Sequence, residues 1–191
     1  MRRSGAVVSD LIASEARAKH LAFHDPLTRL PNRAMLFERL HTLLGRLGTR
    51  GGTVTVICVD LDRFKEINDT LGHHAGDLVI ETMAVRLRSA CPDAELIARL
   101  GGDEFVVLCT RSDCASAPDI GLRIRSHLAA PLQCEYGLLD IDCSIGVVVV
   151  DHAGVEPTEA LRWADLALYR SKQEGKGRVT LFRPEMDAAL Q

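Results

Sequence analysis

The feature that most constrains the fold is an unbroken apolar run that ends in two acids. Residues 53–59 read TVTVICV and are almost all β-branched or apolar. Such a run predicts a strand that is buried on both faces of a sheet. Because the run continues into Asp60-Leu61-Asp62, the sequence predicts a strand that carries two carboxylates to one end of the sheet.

The rest of the chain alternates between patterns typical of helices and of strands. Beyond the central strand, we predict strands over residues 96–100, 104–109, 131–136, 138–149 and 178–182. Helices are predicted over 6–23, 31–47, 116–129 and 157–174, with a short helix up to Leu71, a loop over 72–77 and a further helix up to Ala90. This alternation predicts an α/β domain in which helices pack against a central sheet.

Length and charge limit the organisation of the chain. Its 191 residues suit one domain over 24–183, a linker or signalling helix over 1–23, and a tail or the start of a linker helix over 184–191. With 23 basic and 26 acidic residues, the net charge of −3 gives no basic face for nucleic acid. No apolar run reaches the roughly 20 residues of a membrane span, and the N-terminus does not resemble a secretory signal, so we expect a cytoplasmic protein without a membrane segment.

The cysteines give little indication of a metal or redox site. None of the six forms a C-x-x-C pair, and Cys58, Cys109 and Cys143 lie in apolar stretches. We interpret them as small buried apolar residues in a reducing compartment, with a zinc or redox site as the weaker alternative.

A second acidic pair, Asp103-Glu104, follows Gly101-Gly102, which is typical of a tight hairpin turn. If this hairpin lies beside the first strand, up to four carboxylates meet at one end of the sheet, and their repulsion raises a pKa unless a cation intervenes. For Asp60 with Asp103 we favour a Mg²⁺ site, because Mg²⁺ takes one or two protein carboxylates and leaves its other positions to substrate. For Asp62 we favour a helix cap, and a surface ion pair is the alternative for Glu104.

The same region contains groups suited to phosphate. Gly101 and Gly102 lack Cβ atoms, so their backbone N–H groups can approach a polyphosphate closely. Lys65 follows Asp60 by five residues, within reach of a phosphate on that metal. Lys172 and Lys176 are one helical turn apart near a predicted helix C-terminus, where they either bind phosphate or only compensate the helix dipole.

Asn68 and Asp77 flank the predicted loop that contains His73. Guanine presents N–H donors on one edge and O6 and N7 acceptors elsewhere, so an Asp can accept from it and an Asn can either donate or accept. The chain contains neither G-x-x-x-x-G-K-[ST] nor G-x-G-x-x-G, which argues against nucleotide binding by a P-loop or a Rossmann fold.

Residues 99–105, RLGGDEF, resemble the signature of GGDEF domains, the diguanylate cyclases. Five further segments agree with that family in order and spacing, so the resemblance spans about residues 23–183. They are Asp25-Pro26-Leu27-Thr28 with Asn32-Arg33; Asp60–Lys65 with Asn68-Asp69; Gly72-His73 with Gly76-Asp77; Ser144-Ile145-Gly146; and Ala164-Asp165 with Ala167-Leu168-Tyr169, Lys172 and Gly175.

The resemblance implies a palm-like nucleotidyl cyclase fold with a mostly antiparallel sheet. It also implies that two GTP molecules are condensed into cyclic di-GMP across a homodimer, with Mg²⁺ or Mn²⁺ as cofactor. In this family, GGDEF domains often lie beside sensor or EAL phosphodiesterase domains.

Carried over by position, the resemblance assigns roles to residues in three groups. The metal would be bound by the side chains of Asp60 and Asp103 and the carbonyl of Leu61, and Glu104 would bind a second metal or help activate the ribose hydroxyl. Asp103, Glu104 and Lys65 form the implied catalytic set. The implied GTP-binding set is Phe64, Asn68, His73, Asp77, Gly101, Gly102, Lys172 and Lys176.

The sequence departs from the family pattern at two places. Residues 92–95 read PDAE where many members have the inhibitory product site Arg-x-x-Asp, so we predict no product inhibition there. Lys176-Gly177 stands where Arg-Asn is usual, which removes a bidentate phosphate contact. The alternatives to an active cyclase are a GTP-binding regulatory module of a larger protein and another nucleotidyl cyclase or polymerase palm.

Overall fold

The structure is a computed structural model that describes residues 22–110 and 117–188. The helix predicted over 6–23 lies outside the described residues up to residue 21, as do the last three residues of the predicted tail. The assignment of 24–183 to one domain stays a prediction.

The described elements follow the predicted alternation closely. The helices are α1 (Arg33–Arg50), α2 (Phe64–Leu71), α3 (His73–Ala90), α4 (Ala117–Leu128), α5 (Pro157–Gln173) and α6 (Pro184–Ala188). The strands are β1 (Val54–Asp62), β2 (Leu96–Gly101), β3 (Glu104–Cys109), β4 (Leu132–Cys134), β5 (Gly137–Leu139), β6 (Asp142–Val150) and β7 (Val179–Leu181).

The main sheet has five strands in the order β2-β3-β1-β6-β7. All neighbouring pairs are antiparallel except β6 and β7. β1 lies at the centre between β3 and β6, and its first eight residues are buried, which confirms the strand predicted from the apolar run. The α/β fold with a mainly antiparallel sheet and flanking helices is therefore confirmed.

Two apolar layers cover the two faces of this sheet. One combines Ile57, Val59 and Leu61 of β1 with buried residues of α3 and α4. The other combines Val56 and Cys58 with buried residues of α1 and α5. Each fully buried Val, Leu or Ile contributes roughly 1.5–3 kcal/mol relative to an exposed one, so β1 is anchored strongly on both faces.

Close packing of α5 on β6 determines where the end of that helix lies. A Cβ atom added to Gly146 would be 2.1 Å from the carbonyl oxygen of Ala164 and 2.2 Å from the amide nitrogen of Leu168. The absence of a side chain at Gly146 thus allows α5 to approach the sheet. This approach places Lys172, near the C-terminus of α5, beside the end of β1.

Three boundaries differ from the predictions. The predicted loop at 72–77 is wrong, because only Gly72, at φ +87°, interrupts the helices and α3 begins at His73. The predicted strand over 138–149 is two strands, since the chain leaves the β4–β5 hairpin at exposed Asp140 before β6 joins the main sheet. Lys176 lies beyond the end of α5 rather than one helical turn after Lys172 on the same helix.

The described cysteines match the interpretation as packing residues. Cys58, Cys91, Cys109 and Cys143 are buried, and Cys134 is partly buried. Burial raises the pKa of the Cys58 and Cys143 thiols. Within 22–110 and 117–188, no helix combines the length and apolar character needed to cross a membrane.

Candidate active site

Acidic residues from β1 and from the β2–β3 turn meet at one end of the sheet. Asp60 is the register partner of Glu104 on the neighbouring strand. The carbonyl oxygen of Asp103 accepts a hydrogen bond of 3.4 Å from the amide of Leu61, which joins the turn to β1. Asp60 and Asp103 line the same cavity of about 460 Å³. The predicted meeting of carboxylates from two separate segments is therefore present.

Asp60 is the electrostatic centre of this cavity. It is 8% exposed, and its Oδ2 lies 2.7 Å from the ammonium nitrogen of Lys172. Burial raises the pKa of Asp60, the hydrogen bond and positive charge of Lys172 oppose that shift, and the negative charges of Asp103 and Glu104 add to it. A cation bound at this carboxylate would favour its ionised form.

The donor set fits a small hard cation such as Mg²⁺. Asp60, Leu61 and Asp103 line the same cavity, so two carboxylates and the backbone carbonyl predicted as a ligand belong to residues that lie there together. Among the described residues, no three His, Cys, Asp or Glu side chains come together as a metal site. Mg²⁺ commonly binds through one or two carboxylates and completes its shell with phosphate oxygens and water, so two acids suffice when a triphosphate is present.

Glu104 lines a different cavity from that of Asp60 and Asp103. This cavity, of about 440 Å³, is lined among others by Arg33, Cys58, Asp165 and Leu168. Although Glu104 does not line the cavity that contains Asp103, its charge still acts on Asp60. The surface ion pair considered for Glu104 is not found among the described ion pairs.

The turn between β2 and β3 is held by a pair of residues whose role the sequence analysis missed. Arg99 donates hydrogen bonds of 3.1 and 2.7 Å to the carbonyl oxygen of Gly102. Its guanidinium also donates to both carboxylate oxygens of Asp25, at 3.0 and 3.2 Å. Both residues belong to the motifs quoted above, but their pairing across 74 positions gives no signal in one sequence.

Asp25 is held in place by hydrogen bonds within its own segment of the chain. Its carboxylate accepts hydrogen bonds of 2.7 Å from both the backbone N–H and the hydroxyl of Thr28. Burial alone would raise the pKa of Asp25, but these hydrogen bonds and Arg99 outweigh burial and lower it. The segment before α1 therefore stabilises the Gly102-Asp103 turn from the outside.

The turn glycines leave room for a ligand. Gly101 has φ +146° and Gly102 has φ +52°, and a Cβ atom added at either position would meet no heavy atom within 4 Å. Both glycines are exposed. Nothing packs against the turn at these two glycines, and neither of them lines the cavity that contains Asp60.

Three lysines predicted to contact phosphate line the cavity of Asp60. Lys65 is exposed at the start of α2, Lys172 pairs with Asp60, and Lys176 lies in the turn after α5. With Arg63, they make four positively charged groups in a cavity that five carboxylates also line, those of Asp60, Asp62, Glu66, Asp69 and Asp103. The cavity therefore carries charges of both signs.

The residues predicted to bind guanine lie in the corner between α2 and α3. A Cβ atom at Gly76 would be 2.0 Å from Asn68 Oδ1 and 3.2 Å from Phe64 Cζ, so these side chains surround that glycine. His73 and Asp77 lie on the exposed first turn of α3. The structure therefore brings Asn68 and Phe64 to the start of α3, and Phe64 also lines the cavity of Asp60 and Asp103.

The prediction that Asp62 caps α2 is wrong. Arg63, at φ +60°, precedes the helix, and no side chain caps its N-terminus. Asp62 continues the pairing of β1 opposite Asp142 and accepts hydrogen bonds from Ser144 and Gly177. The strand thus extends three residues beyond the apolar run.

The segment that replaces the family's product site is bound internally. Glu95 pairs with Arg39 and accepts a hydrogen bond of 2.8 Å from the hydroxyl of Thr110. Pro92, at the position of the family's arginine, offers no guanidinium.

The family model of the diguanylate cyclase GGDEF domain matches residues 22–178. Among curated relatives, the diguanylate cyclase DgcP of Pseudomonas aeruginosa is 42% identical over 160 residues, which are 83% of this chain and 24% of the relative. The bifunctional diguanylate cyclase/cyclic di-GMP phosphodiesterase MucR of the same species is 33% identical over 99% of this chain and 28% of its own length. Across the first curated relatives, the chain spans between 17% and 38% of their length.

Solved structures show the same fold. The GGDEF domain of TpbB from Pseudomonas aeruginosa superposes with a TM-score of 0.82 at 38% identity, covering 88% of this chain and 99% of that one. The coiled coil and GGDEF domain of DgcB from Caulobacter crescentus, in complex with c-di-GMP, gives a TM-score of 0.85 at 30% identity, covering 93% and 95%.

Proposed function

Since the chain belongs to the GGDEF domain family of diguanylate cyclases, we propose that it condenses two GTP molecules into cyclic di-GMP and releases two pyrophosphates. The observation that carries this proposal is the convergence of Asp60, Asp103 and Lys172 at one cavity. We place the reaction in the cytoplasm, where GTP is available.

The proposed chemistry is attack of a ribose 3′-oxygen on the α-phosphorus of the other GTP. The hydroxyl proton is lost, an O–P bond forms, and the bond to the pyrophosphate oxygen breaks. Bound Mg²⁺ would supply charge neutralisation at the transferring phosphate and a lower pKa for the hydroxyl. Asp60 and Asp103 would hold it, and Glu104 is the further acid near enough to influence Asp60.

The lysines have separate roles in this scheme. Lys172 pairs with Asp60 in the structure and would exchange that carboxylate for a phosphate oxygen when the cation arrives. Lys65 and Lys176 extend the positive charge along the triphosphate. Positive groups aimed at the phosphates stabilise the charge that develops during transfer.

Specificity for guanine is assigned to the α2–α3 corner. The Asp77 carboxylate would accept from the N–H donors of guanine, and the Asn68 amide would donate to its acceptors or accept from its donors, with Phe64 and His73 beside the base. This assignment is supported by Asn68 and Phe64, which surround Gly76, and by Asp77, which follows that glycine on α3 and is exposed.

We further propose that a homodimer performs the reaction. One chain holds one GTP, and cyclic di-GMP needs two attacks in opposite directions. Holding the two nucleotides face to face is worth up to roughly 7–11 kcal/mol of the barrier. Sensor or EAL domains of a longer protein would control how the two copies meet, since the relatives extend well beyond the length of this chain.

The test is product formation from GTP and Mg²⁺, followed by chromatography across a range of protein concentrations. We expect cyclic di-GMP, an initial rate that rises faster than linearly with protein at low concentration, and loss of product in Asp103→Asn. Asp140→Asn, which removes an exposed charge outside the Asp60 cavity, is the matched control. Absence of product from a chain shown to dimerise would contradict the proposal.

A regulatory GTP-binding module is the second candidate. It is favoured by relatives such as the cyclic di-GMP phosphodiesterase PdeR of Escherichia coli, which is 31% identical over 96% of this chain. In that case wild-type and Asp103→Asn chains would form no product, while GTP binding through the α2–α3 corner would survive. Measuring binding and product on the same preparations separates the two functions.

A further inference from the structure

The turn that follows α5, residues 174–177, has an unusual backbone. Gly175, Lys176 and Gly177 are all left-handed, at φ +115°, +64° and +55°. Lys176 is the exception among them, because a residue with a Cβ atom rarely adopts this conformation. The turn carries Lys176 to the cavity that contains Asp60, so something must hold it in place.

Asp62 holds the turn directly. Its Oδ2 accepts a hydrogen bond of 2.9 Å from the N–H of Gly177, the residue after Lys176. The hydroxyl of Ser144, which is fully buried, donates to Oδ1 of the same carboxylate at 2.8 Å and to Oδ2 at 3.1 Å. The acceptor is therefore aimed at the turn by a group inside the sheet.

A second carboxylate closes the turn from the other side. Asp142, the register partner of Asp62, forms a bidentate pair with Arg125 at 3.0 and 2.6 Å. A Cβ atom at Gly177 would lie 2.6 Å from Asp142 Oδ2 and 3.2 Å from Arg125 Nη2. The pair therefore occupies the space that a side chain at 177 would need.

Two carboxylates facing each other across an antiparallel pair normally repel. Here each has its own donors: Ser144 and Gly177 for Asp62, and Arg125 and the N–H of Cys143 for Asp142. Both acids also raise the pKa of Arg125, because their negative charges favour its positively charged form. The two negative charges at this end of β1 and β6 are therefore compensated by hydrogen bonds and by Arg125.

From this geometry we infer that Asp62 is a positioning residue, which fixes Lys176 for contact with the triphosphate by clasping the N–H of Gly177. The identity of the ligand, a triphosphate, rests on the proposed function. The contact between Asp62 and Gly177 rests only on the hydrogen bonds described above. We use the term carboxylate clasp for Asp62, Asp142 and Arg125 around Gly177.

The direction in which GTP affinity changes on substitution of Asp62 distinguishes a positioning role from a purely electrostatic one. Asp62 lines the Asp60 cavity, so an anion that acted only through its charge would repel a triphosphate. Removing it would then tighten GTP binding. The N–H of Lys176 also donates a hydrogen bond of 3.0 Å to the carbonyl oxygen of Ser171, so Asp62→Ala loosens the turn on its Gly177 side only. A clasp predicts that this loosening weakens GTP binding, whereas Asp62→Asn keeps a carbonyl acceptor for Gly177 and largely restores binding.

The experiment measures GTP affinity by calorimetry for wild type, Asp62→Ala, Asp62→Asn, Lys176→Ala and the Asp62→Ala/Lys176→Ala double variant. We expect Asp62→Ala and Lys176→Ala each to weaken binding by about tenfold or more, the range for losing a hydrogen bond to a charged group. The affinity of the double variant for GTP should be no lower than that of the single variant with the lower affinity. Both substitutions disrupt the same contact, that of Lys176 with the triphosphate, so their effects should not add. Fully additive losses, or an Asp62→Ala chain that binds as tightly as wild type, would overturn the inference.

Amide hydrogen exchange at Gly177 tests the clasp without GTP. Protection should fall in Asp62→Ala and stay in Asp140→Asn, the exposed acid nearby that serves as control. Equal protection in wild type and Asp62→Ala would overturn the clasp. A wild-type chain that binds no GTP would contradict the proposed function, and the exchange result would then decide the clasp by itself.

A substitution at Gly177 gives an independent check. Asn tolerates the left-handed region, so Gly177→Asn mainly adds a side chain against Asp142. We expect weaker GTP binding in Gly177→Asn and partial recovery when Asp142→Ala is added. No recovery, with both chains folded by circular dichroism, would show that Asp142 does not close the turn.

Discussion

The two ends of the proposed GTP site differ in how completely they are built before a nucleotide arrives. At the phosphate end, Asp60 pairs with Lys172, and Arg99 ties the Gly102 carbonyl to Asp25. At the base end, Asp77 and His73 lie exposed on the first turn of α3. Under the proposed function, the groups assigned to catalysis are held in place by protein contacts, whereas Asp77 and His73, assigned to base recognition, would gain their partners only when guanine binds. Substitutions at the two ends should therefore change different kinetic constants.

The largest effect is expected for Asp60→Asn. The change removes a buried carboxylate that would hold the cation and leaves Lys172 beside a neutral amide instead of a negative charge. Loss of an outer-shell partner alone typically costs about 10–100-fold, so loss of a ligand should lower kcat by more than about 100-fold. Steady-state kinetics at saturating Mg²⁺ measure this change. A kcat within threefold of wild type would contradict the proposal that substitutions at the phosphate end act mainly on kcat.

A smaller and different effect is expected at the base end. Asn68→Ala and Asp77→Ala should raise KM for GTP by about 10–100-fold, the range for lost hydrogen bonds to a charged or buried partner, with a lesser change in kcat. Asp77→Ala should also narrow the preference for GTP over ITP, which lacks the 2-amino group. Glu81→Gln, one turn further along the exposed side of α3, is the control. A fall in kcat with unchanged KM would contradict the comparison.

The support of the phosphate end predicts how stability depends on pH. Because the folded-state pKa of Asp25 is lowered from its ordinary value of 3.8, its ionised form stabilises the fold above that value. That contribution is lost as pH falls below 3.8 through the folded-state pKa. We expect Asp25→Asn to be less stable at neutral pH and to show a flatter loss of unfolding free energy on acidification. Parallel urea titrations between neutral and acid pH measure both, and identical slopes would exclude the role of Asp25.

The last prediction concerns inhibition by cyclic di-GMP, for which we expect no effect on the wild-type chain. Added cyclic di-GMP should not inhibit through residues 92–95, because Pro92 offers no guanidinium and Glu95 is bound to Arg39 and Thr110. Installing the family pattern with Pro92→Arg and Glu95→Asp should create inhibition that wild type lacks. Cyclic di-GMP bound at 92–95 of the wild-type chain in a crystal would contradict this prediction.

Much of the sheet and of the phosphate end could be predicted from the sequence. The apolar run at 53–59 has one stable solution, a strand covered on both faces, and the acids after it necessarily lie at the strand end. The Gly101-Gly102 pair equally predicted a turn, which the structure shows beside β1.

The errors come from residues whose roles depend on contacts between different elements of the fold. Asp62 resembled a helix cap because a helix follows it, but its partners are Ser144 and Gly177 on β6 and after α5. The start of α3 was missed because Gly72 and Gly76 resembled loop residues, whereas Gly76 is there to admit the Asn68 side chain. Local pattern cannot distinguish a glycine required by a turn from one required by a close approach.

The most direct test of the account is a crystal structure of the chain with a non-cyclising GTP analogue and Mn²⁺, using the anomalous signal of the metal. We predict one or more metal peaks between the carboxylates of Asp60 and Asp103, with Lys172 moved from Asp60 to a phosphate oxygen. A bound triphosphate with Asp60 still paired to Lys172, and the metal held elsewhere, would contradict it.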